Sequence, residues 1–397
     1  MIIPLWAAIT PFTNLTLNAR LTTEPRTWVN AASYIPFKGK TGTDWTYGEF
    51  DALNLQYRNF CGLPATLTVG RQDLMLGDGW LVLEGTPYDG SETLYLDAAR
   101  LTYNLEDAHT TIDVMGILQS AKDDAWLPTI NNQDRWLSEQ NENGVILDIA
   151  NKTIPAANLD GYFIYKHDSI PHDDAYKVFG DNADIFTLGG RVSGLVNDHW
   201  KYSAEGAYQF GRKQDLSIKF PAVSTDYHGL SAFGVNSKLS YLFKDSLNQQ
   251  VCLSYEFLSG DDPKTKTDEM FDILWGRWPR WSEVYDIYSY FPETRVGQIA
   301  NLHRIGPGYT ITPLRNLDFS ASYYILLADQ DVATRNKSAP QFTGTGNFRG
   351  QYLQTVLKYK FNQHLSGHLW GELVFPGDFY THTDMIPWFR AEMTMTF

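Results

Sequence analysis

No stretch of about 18 consecutive apolar residues occurs in this 397-residue chain, so it contains no candidate transmembrane helix. Cysteine is nearly absent: Cys61 and Cys252 are the only two, far apart, and no structural disulfide is expected. Cations are scarce, with 32 Lys and Arg against 46 Asp and Glu and a net charge of −14. That excludes the basic footprint a nucleic-acid partner needs. No His-Glu-x-x-His and no Gly-x-Ser-x-Gly is present, and the 9 histidines are scattered. His364 and His368 share a strand face, about 13 Å apart at ~3.3 Å per residue, too far to share a metal. No enzyme, cofactor or metal site is therefore expected. No glycine-rich phosphate loop and no plug domain ahead of the strands supplies energy. Met1–Thr10 is apolar but has no positive n-region and no small-residue cleavage site. The expectation is a removed signal or a truncated start, with residues 1–12 a truncated strand or a periplasmic lead-in.

What the chain does have is alternation. Counting back from Phe397, one face carries Met395, Met393, Ala391 and Phe389. The other carries Thr396, Thr394, Glu392, Arg390 and Trp388. A period of two is that of a β-strand. The same pattern recurs in sixteen segments: 15–21, 53–57, 65–72, 93–105, 110–118, 145–150, 159–166, 185–195, 200–211, 231–243, 249–257, 299–313, 317–327, 351–361, 365–375 and 385–397. Short turns follow every second segment and long loops follow the others. That is the layout of an outer-membrane barrel, with short periplasmic turns and long extracellular loops. An even count places both termini on the periplasmic side. A mean hydropathy of −0.32 with 43% hydrophobic residues suits a barrel in which only alternate residues meet lipid. Aromatics at 14% suit two girdles at the membrane interfaces. The fold expected is all-β: one transmembrane antiparallel β-barrel over residues 1–397, in a Gram-negative outer membrane.

Taking the polar face as inward, the lumen cations are Arg20, Arg58, Arg100, Lys166, Arg191, Lys201, Lys238, Lys358, Lys360 and Arg390. The lumen anions are Asp113, Asp148, Asp160, Glu205, Glu256, Asp318, Glu372 and Glu392. The outer face is nearly free of charge, because a cation at the bilayer midplane costs ~2–4 kcal/mol. Arg71 and Asp97 are the exceptions, in phase with apolar neighbours; a rim position or a bulge explains them. The excess negative charge falls in loops, at Asp123, Asp124, Asp134, Glu139 and Glu142, then Asp168, Asp173, Asp174, Asp181 and Asp184. Those loops are read as solvated, with a calcium-bridged or ligand-binding role as the alternative. The inward cations either line an anion pathway or pair with the acids to fill a wide barrel.

Several stretches resemble the alginate-export family of outer-membrane barrels. They are Gly70-Arg71-Gln72 with Gly77-Asp78-Gly79, Asp97-Ala98-Ala99-Arg100-Leu101, Leu188-Gly189-Gly190-Arg191 and Tyr208-Gln209-Phe210-Gly211. Further on come Ser259-Gly260-Asp261-Asp262-Pro263 with Phe271-Asp272, and Phe375-Pro376-Gly377-Asp378-Phe379. The resemblance implies a single, monomeric barrel, typically of 18 strands, passing an anionic polysaccharide through an Arg-lined pore. Two departures from the family are visible: sixteen countable strands, and a nearly balanced lumen. By the match, Arg71, Arg100 and Arg191 are the substrate-path positions, with a network that pins an extracellular loop to the wall as the equal alternative for Arg71 and Gln72. Arg58, Lys201, Lys238, Lys358 and Arg390 join them from the inward face, with Glu205 holding the guanidiniums in place. The glycines at 77 and 79 are assigned to a tight turn, and Asp261 and Asp262 to loop structure. A passive channel for an anionic solute follows, taking an alginate-like polysaccharide or a small anion, with outer-membrane lipid around it and a periplasmic delivery partner. A general diffusion porin and an adhesive barrel with acidic binding loops stay open beside it.

Overall fold

The computed structural model describes residues 2–28, 42–84, 95–122, 127–130, 137–138, 140–171, 182–214, 226–262, 264–276, 281–283, 299–330 and 342–397. The strands are β1 Ile3–Phe12, β2 Leu15–Trp28, β3 Gly42–Arg58, β4 Ala65–Gln72, β5 Leu74–Met75, β6 Leu83–Glu84, β7 Leu96–Leu105, β8 Thr110–Gln119 and β9 Asn141–Ile154. They continue with β10 Ala157–Ser169, β11 Ala183–Leu195, β12 Trp200–Gln214, β13 Tyr227–Leu242 and β14 Gln250–Leu258. The last are β15 Leu302–Leu314, β16 Leu317–Leu327, β17 Phe348–Lys360, β18 Leu365–Pro376 and β19 Ile386–Met395. Seventeen of them form one sheet; β5 and β6 pair separately. Each large-sheet strand runs antiparallel to the next, from β1–β2 through β4–β7 to β18–β19.

All sixteen segments expected from alternation are strands of this sheet. The seventeenth is β1, which pairs with β2 from Ile3↔Thr23 to Phe12↔Leu15. Among the described residues the count of large-sheet strands is therefore odd. Ile3 lies at the long-loop end and Met395 at the short-turn end, so β1 and β19 run in the same direction. Asx side chains build several of the short turns. Asn197 Oδ1 accepts from the His199 and Trp200 amides at 2.9 and 3.0 Å. Asn362 Oδ1 accepts from His364 and Leu365 at 2.8 and 2.9 Å.

The outer face is apolar and exposed, as at Leu188, Phe389 and Met393, all above 60% accessible. Aromatics gather at both ends of that face. Toward the long loops, Phe186 stacks on Tyr165 at 4.9 Å and on Phe210 at 5.4 Å. Toward the short turns, Tyr241 meets Trp200 at 5.0 Å and Phe243 at 5.1 Å, and Tyr359 meets Phe361 at 4.7 Å.

The inner face is not wet throughout. Its long-loop half carries an apolar patch, with Leu96, Ile117, Ile146, Ile164, Ile185, Leu230 and Leu326 each buried, beside the buried charges of Glu142, Lys166 and Asp168. Two connections cover it. Residues 73–84, after β4, supply Leu74, Leu76, Trp80, Leu81 and Val82; residues 264–276, after β14, supply Phe271, Ile273, Leu274 and Trp275. The two lock backbone to backbone, through Leu83 N to Trp275 O at 3.1 Å and Trp275 N to Leu81 O at 3.0 Å. Gly144 and Gly234 leave flat places in the wall for Trp275 and Phe271; a Cβ at Gly144 would lie 2.4 Å from the indole.

These contacts require a strongly curved sheet. Asp73 bonds Arg20 on β2, and Trp80 bonds Glu256 on β14. On a flat sheet those strands would stand about 48 Å apart at ~4.8 Å per strand. The intervening residues reach at most about 25 Å.

Candidate functional site

The inward polar residues form a belt across neighbouring strands. Asp160 faces Arg191, Arg191 faces Glu205, Glu205 faces Asn236, Asn236 faces Glu256, and Glu256 faces Arg304. On the other side of Asp160, Asp113 faces Asp148 across β8 and β9. Arg100 forks onto Asp113 at 2.8 and 2.9 Å. Arg191 bonds Asp160 at 2.8 Å, and Arg304 bonds Glu256 at 3.1 Å. Glu205 accepts from the Tyr162 hydroxyl at 2.8 Å. In this row five carboxylates (Asp113, Asp148, Asp160, Glu205, Glu256) meet three guanidiniums (Arg100, Arg191, Arg304). The waist of the lumen therefore carries no net positive charge.

The same belt anchors the inward connections. Arg20 donates to Asp73 at 2.8 and 2.9 Å while holding Asp51 at 2.9 Å. Arg191 donates to Asp78 at 2.8 and 3.2 Å. Gly77 turns at φ +55°, with its Cα hydrogen side against the Arg191 chain; a Cβ there would come within 3.1 Å of Arg191 Cδ. In the second connection, Asp272 is gripped by Lys213 at 2.8 Å and by Gln209, which takes its amide hydrogen at 2.8 Å and donates to its carbonyl at 2.6 Å. Fully buried Lys166 adds Glu142 at 3.1 Å, Asp168 at 3.2 Å and Asp272 at 3.8 Å. Burial by itself raises the Asp272 carboxyl, but Lys213 and Lys166 hold it far below the usual carboxylate range. Glu283 reaches Arg390 at 2.6 Å and its amide donates to Glu372 at 3.0 Å.

The cations toward the short turns differ. Lys201, Lys238, Lys358 and Lys360 face inward and are exposed, and among the described residues they make no ion pair. Lys201 stands opposite Ser240, and Lys238 opposite Ser203 and Ser254. Lys358 stands opposite Asp318, which accepts from Thr312 Oγ1 at 2.6 Å. Among the described residues the Arg58 guanidinium, exposed at the end of β3, hydrogen-bonds Gln56 at 3.4 Å.

Of the residues singled out in the sequence, Arg100, Arg191 and Glu205 come together at the waist. Lys201, Lys238, Lys358 and Arg58 lie below it. Arg390 sits under the second connection. Arg71 is elsewhere. It lies on the outer face directly opposite Asp97, bonded to it at 3.1 Å, donating to Phe50 O at 2.9 Å and stacked 3.6 Å from the Tyr95 ring centre. It is 1% exposed, at the long-loop rim. Glu142, Asp168 and Asp184, read as loop acids, lie in β9, β10 and β11, the first two buried against Lys166. Asp123, Asp124, Asp134, Glu139, Asp173, Asp174, Asp181 and Pro263 lie outside the described residues. Asp261 and Asp262 accept amides within their own loop. Both cysteines are free.

Three cations escaped the sequence reading. Arg304 shares its face with Gly306, Gly308 and Thr310, too small to mark it as polar. Lys213 lies two residues beyond the expected end of its strand, past Gly211. Arg349 is fully buried and donates to Ala300 O, Asn301 O and the Tyr380 hydroxyl at 3.1, 2.9 and 3.0 Å. The Phe375-Pro376-Gly377-Asp378-Phe379 stretch folds over it, with Phe379 4.9 Å away; that stretch is a rim fastening.

Solved structures share this fold. Acinetobacter baumannii OccAB1 matches with TM-score 0.58 at 12% identity, over 100% of this chain and 90% of that one. OccAB4 of the same organism gives 0.54 at 13% identity over 99% and 90%. Pseudomonas aeruginosa OccK5 (OpdH) gives 0.53 at 13% over 100% and 91%. These likenesses show the fold of an outer-membrane β-barrel. No curated protein matches the chain. The family model described as alginate export matches residues 12–386, nearly the whole length. The chain belongs to the alginate-export family and is a porin-like transport channel of the Gram-negative outer membrane.

Proposed function

We propose that the channel passively conducts anionic solutes, with an alginate-like polyuronate as the substrate, and that it captures them at the short-turn mouth. The observation that carries this reading is the set of exposed, inward lysines without ion pairs. A guanidinium already forked onto a carboxylate contributes little net potential, whereas an unpaired ammonium at the edge of a low-dielectric wall attracts anions over a Debye length, about 8 Å at physiological salt. Lys201 and Lys238 are diagonal neighbours on β12 and β13, so their ammoniums can bracket successive carboxylates of one chain. Arg100 and Arg191 take part once a solute carboxylate competes with Asp113, Asp160 or Asp78. The barrel acts as a monomer supplied by a periplasmic delivery partner.

The test is single-channel recording in a planar bilayer with the barrel in known orientation. Uronate oligomers added on the short-turn side are expected to block the current at least tenfold more strongly than from the other side. Open channels without block from either side would leave a general diffusion porin.

A further inference from the structure

We infer that the inward wall of β17–β19 holds a saccharide subsite in which a pyranose ring lies against indole and its carboxylate docks on Arg390. The inference rests on the polyuronate reading above and goes beyond it by locating one sugar. Three rows of facing residues build the wall: Glu372 with Trp388, Trp370 with Arg390, and His368 with Glu392. Lys358 stands beside His368 on β17.

Trp388 packs against the apolar inward cluster, and Trp370 stands one row nearer the short turns. Here Trp370 and Trp388 are half-buried, face inward and meet edge to face at 5.9 Å. Arg390 sits 5.5 and 5.0 Å from their ring centres, so its fork is held in place by π contacts. The C–H face of a pyranose is the apolar surface that an aromatic ring in a polar site accepts. Two details point to an absent ligand. The Trp370 Nε1–H is buried with no acceptor, a donor that a ring hydroxyl would satisfy. And a carboxylate is already seated on Arg390: Glu283 Oε2, at 2.6 Å. That carboxylate, from the second inward connection, stands where a uronate carboxylate would bind, through one charge-assisted contact from Arg390 Nη2. His368 and Glu392, 3.9 Å apart, supply acceptor and donor for hydroxyls, and Lys358 the next positive charge toward the mouth.

The subsite predicts discrimination between a sugar acid and a bare anion. In planar bilayers, a uronate oligomer and a polyglutamate of equal charge are compared as blockers. Trp370→Ala with Trp388→Ala is expected to weaken uronate block at least tenfold while leaving polyglutamate block and the chloride reversal potential unchanged. Trp388→Phe, which keeps a ring face and the fold, is expected to retain most of the block. Glu283→Ala removes the competing carboxylate and is expected to tighten uronate block several-fold. Equal loss for both blockers, or no change for either, would overturn the subsite while leaving an anion channel standing. A wild-type channel with neither uronate block nor anion preference would overturn both.

Discussion

Arg71 and Lys238 carry the same charge, the first singled out by the family resemblance and the second by the alternation, and their surroundings give them different work. Arg71 is enclosed by Asp97, the Phe50 carbonyl and the Tyr95 ring on the outer rim, where its charge is neutralised. Lys238 is exposed on the inner face and, among the described residues, makes no ion pair. Arg71→Gln is accordingly expected to leave the reversal potential in a salt gradient unchanged within a few millivolts. Because it strips a partner from Asp97, it is expected to cost about 3–5 kcal/mol of unfolding free energy, measured by urea titration in detergent. The sequence showed which face each residue takes, since a period of two needs no tertiary knowledge. It could not show partners, which depend on register and on residues brought in from loops. Arg191 was legible as inward; its bond to Asp78, across 113 positions of sequence, was not.

At the scale of elements, the strands were legible and the inward connections were not. Sixteen strands announced themselves because lipid on one side and polar wall on the other enforce alternation. Residues 73–84 and 268–276 have no such constraint. Their apolar side chains follow no period, and only the packing of Trp80 on Phe271 at 5.5 Å shows that they fill a lumen. The motif at Phe271-Asp272 signalled a family loop without revealing it as an anchor. Asp272→Ala leaves Lys213 and Lys166 without their shared carboxylate and is expected to release this connection. Single-channel records should then show several-fold larger open-state noise. The pH dependence has a definite sign. The Asp272 carboxyl is held below its unfolded value of about 3.9, so its contribution is complete at neutral pH and is lost only as pH falls below about 4. Wild-type noise should be flat from pH 7 to 5 and rise only in stronger acid. A rise between pH 7 and 5 would assign the gating to other groups.

For the whole molecule, charge is arranged along the lumen axis in three zones. Under the long loops lies a largely apolar plug pinned by buried ion pairs, along the waist runs a belt with more carboxylates than guanidiniums, and exposed lysines stand above the short turns. The net charge of −14 misleads about this pathway, since it averages a basic mouth with acids elsewhere. The resemblance to arginine-lined exporters misleads in the opposite direction, because Arg20, Arg100, Arg191, Arg304 and Arg390 all have carboxylate partners. The account therefore places anion attraction in Lys201, Lys238 and Lys358. The measurement that tests this most directly is the reversal potential of the wild-type channel and of the triple variant Lys201→Glu, Lys238→Glu, Lys358→Glu in a tenfold salt gradient. The account predicts an anion-preferring wild type and a cation-preferring variant. An unchanged reversal potential in the triple variant would contradict it and remove the short-turn mouth from the selectivity path.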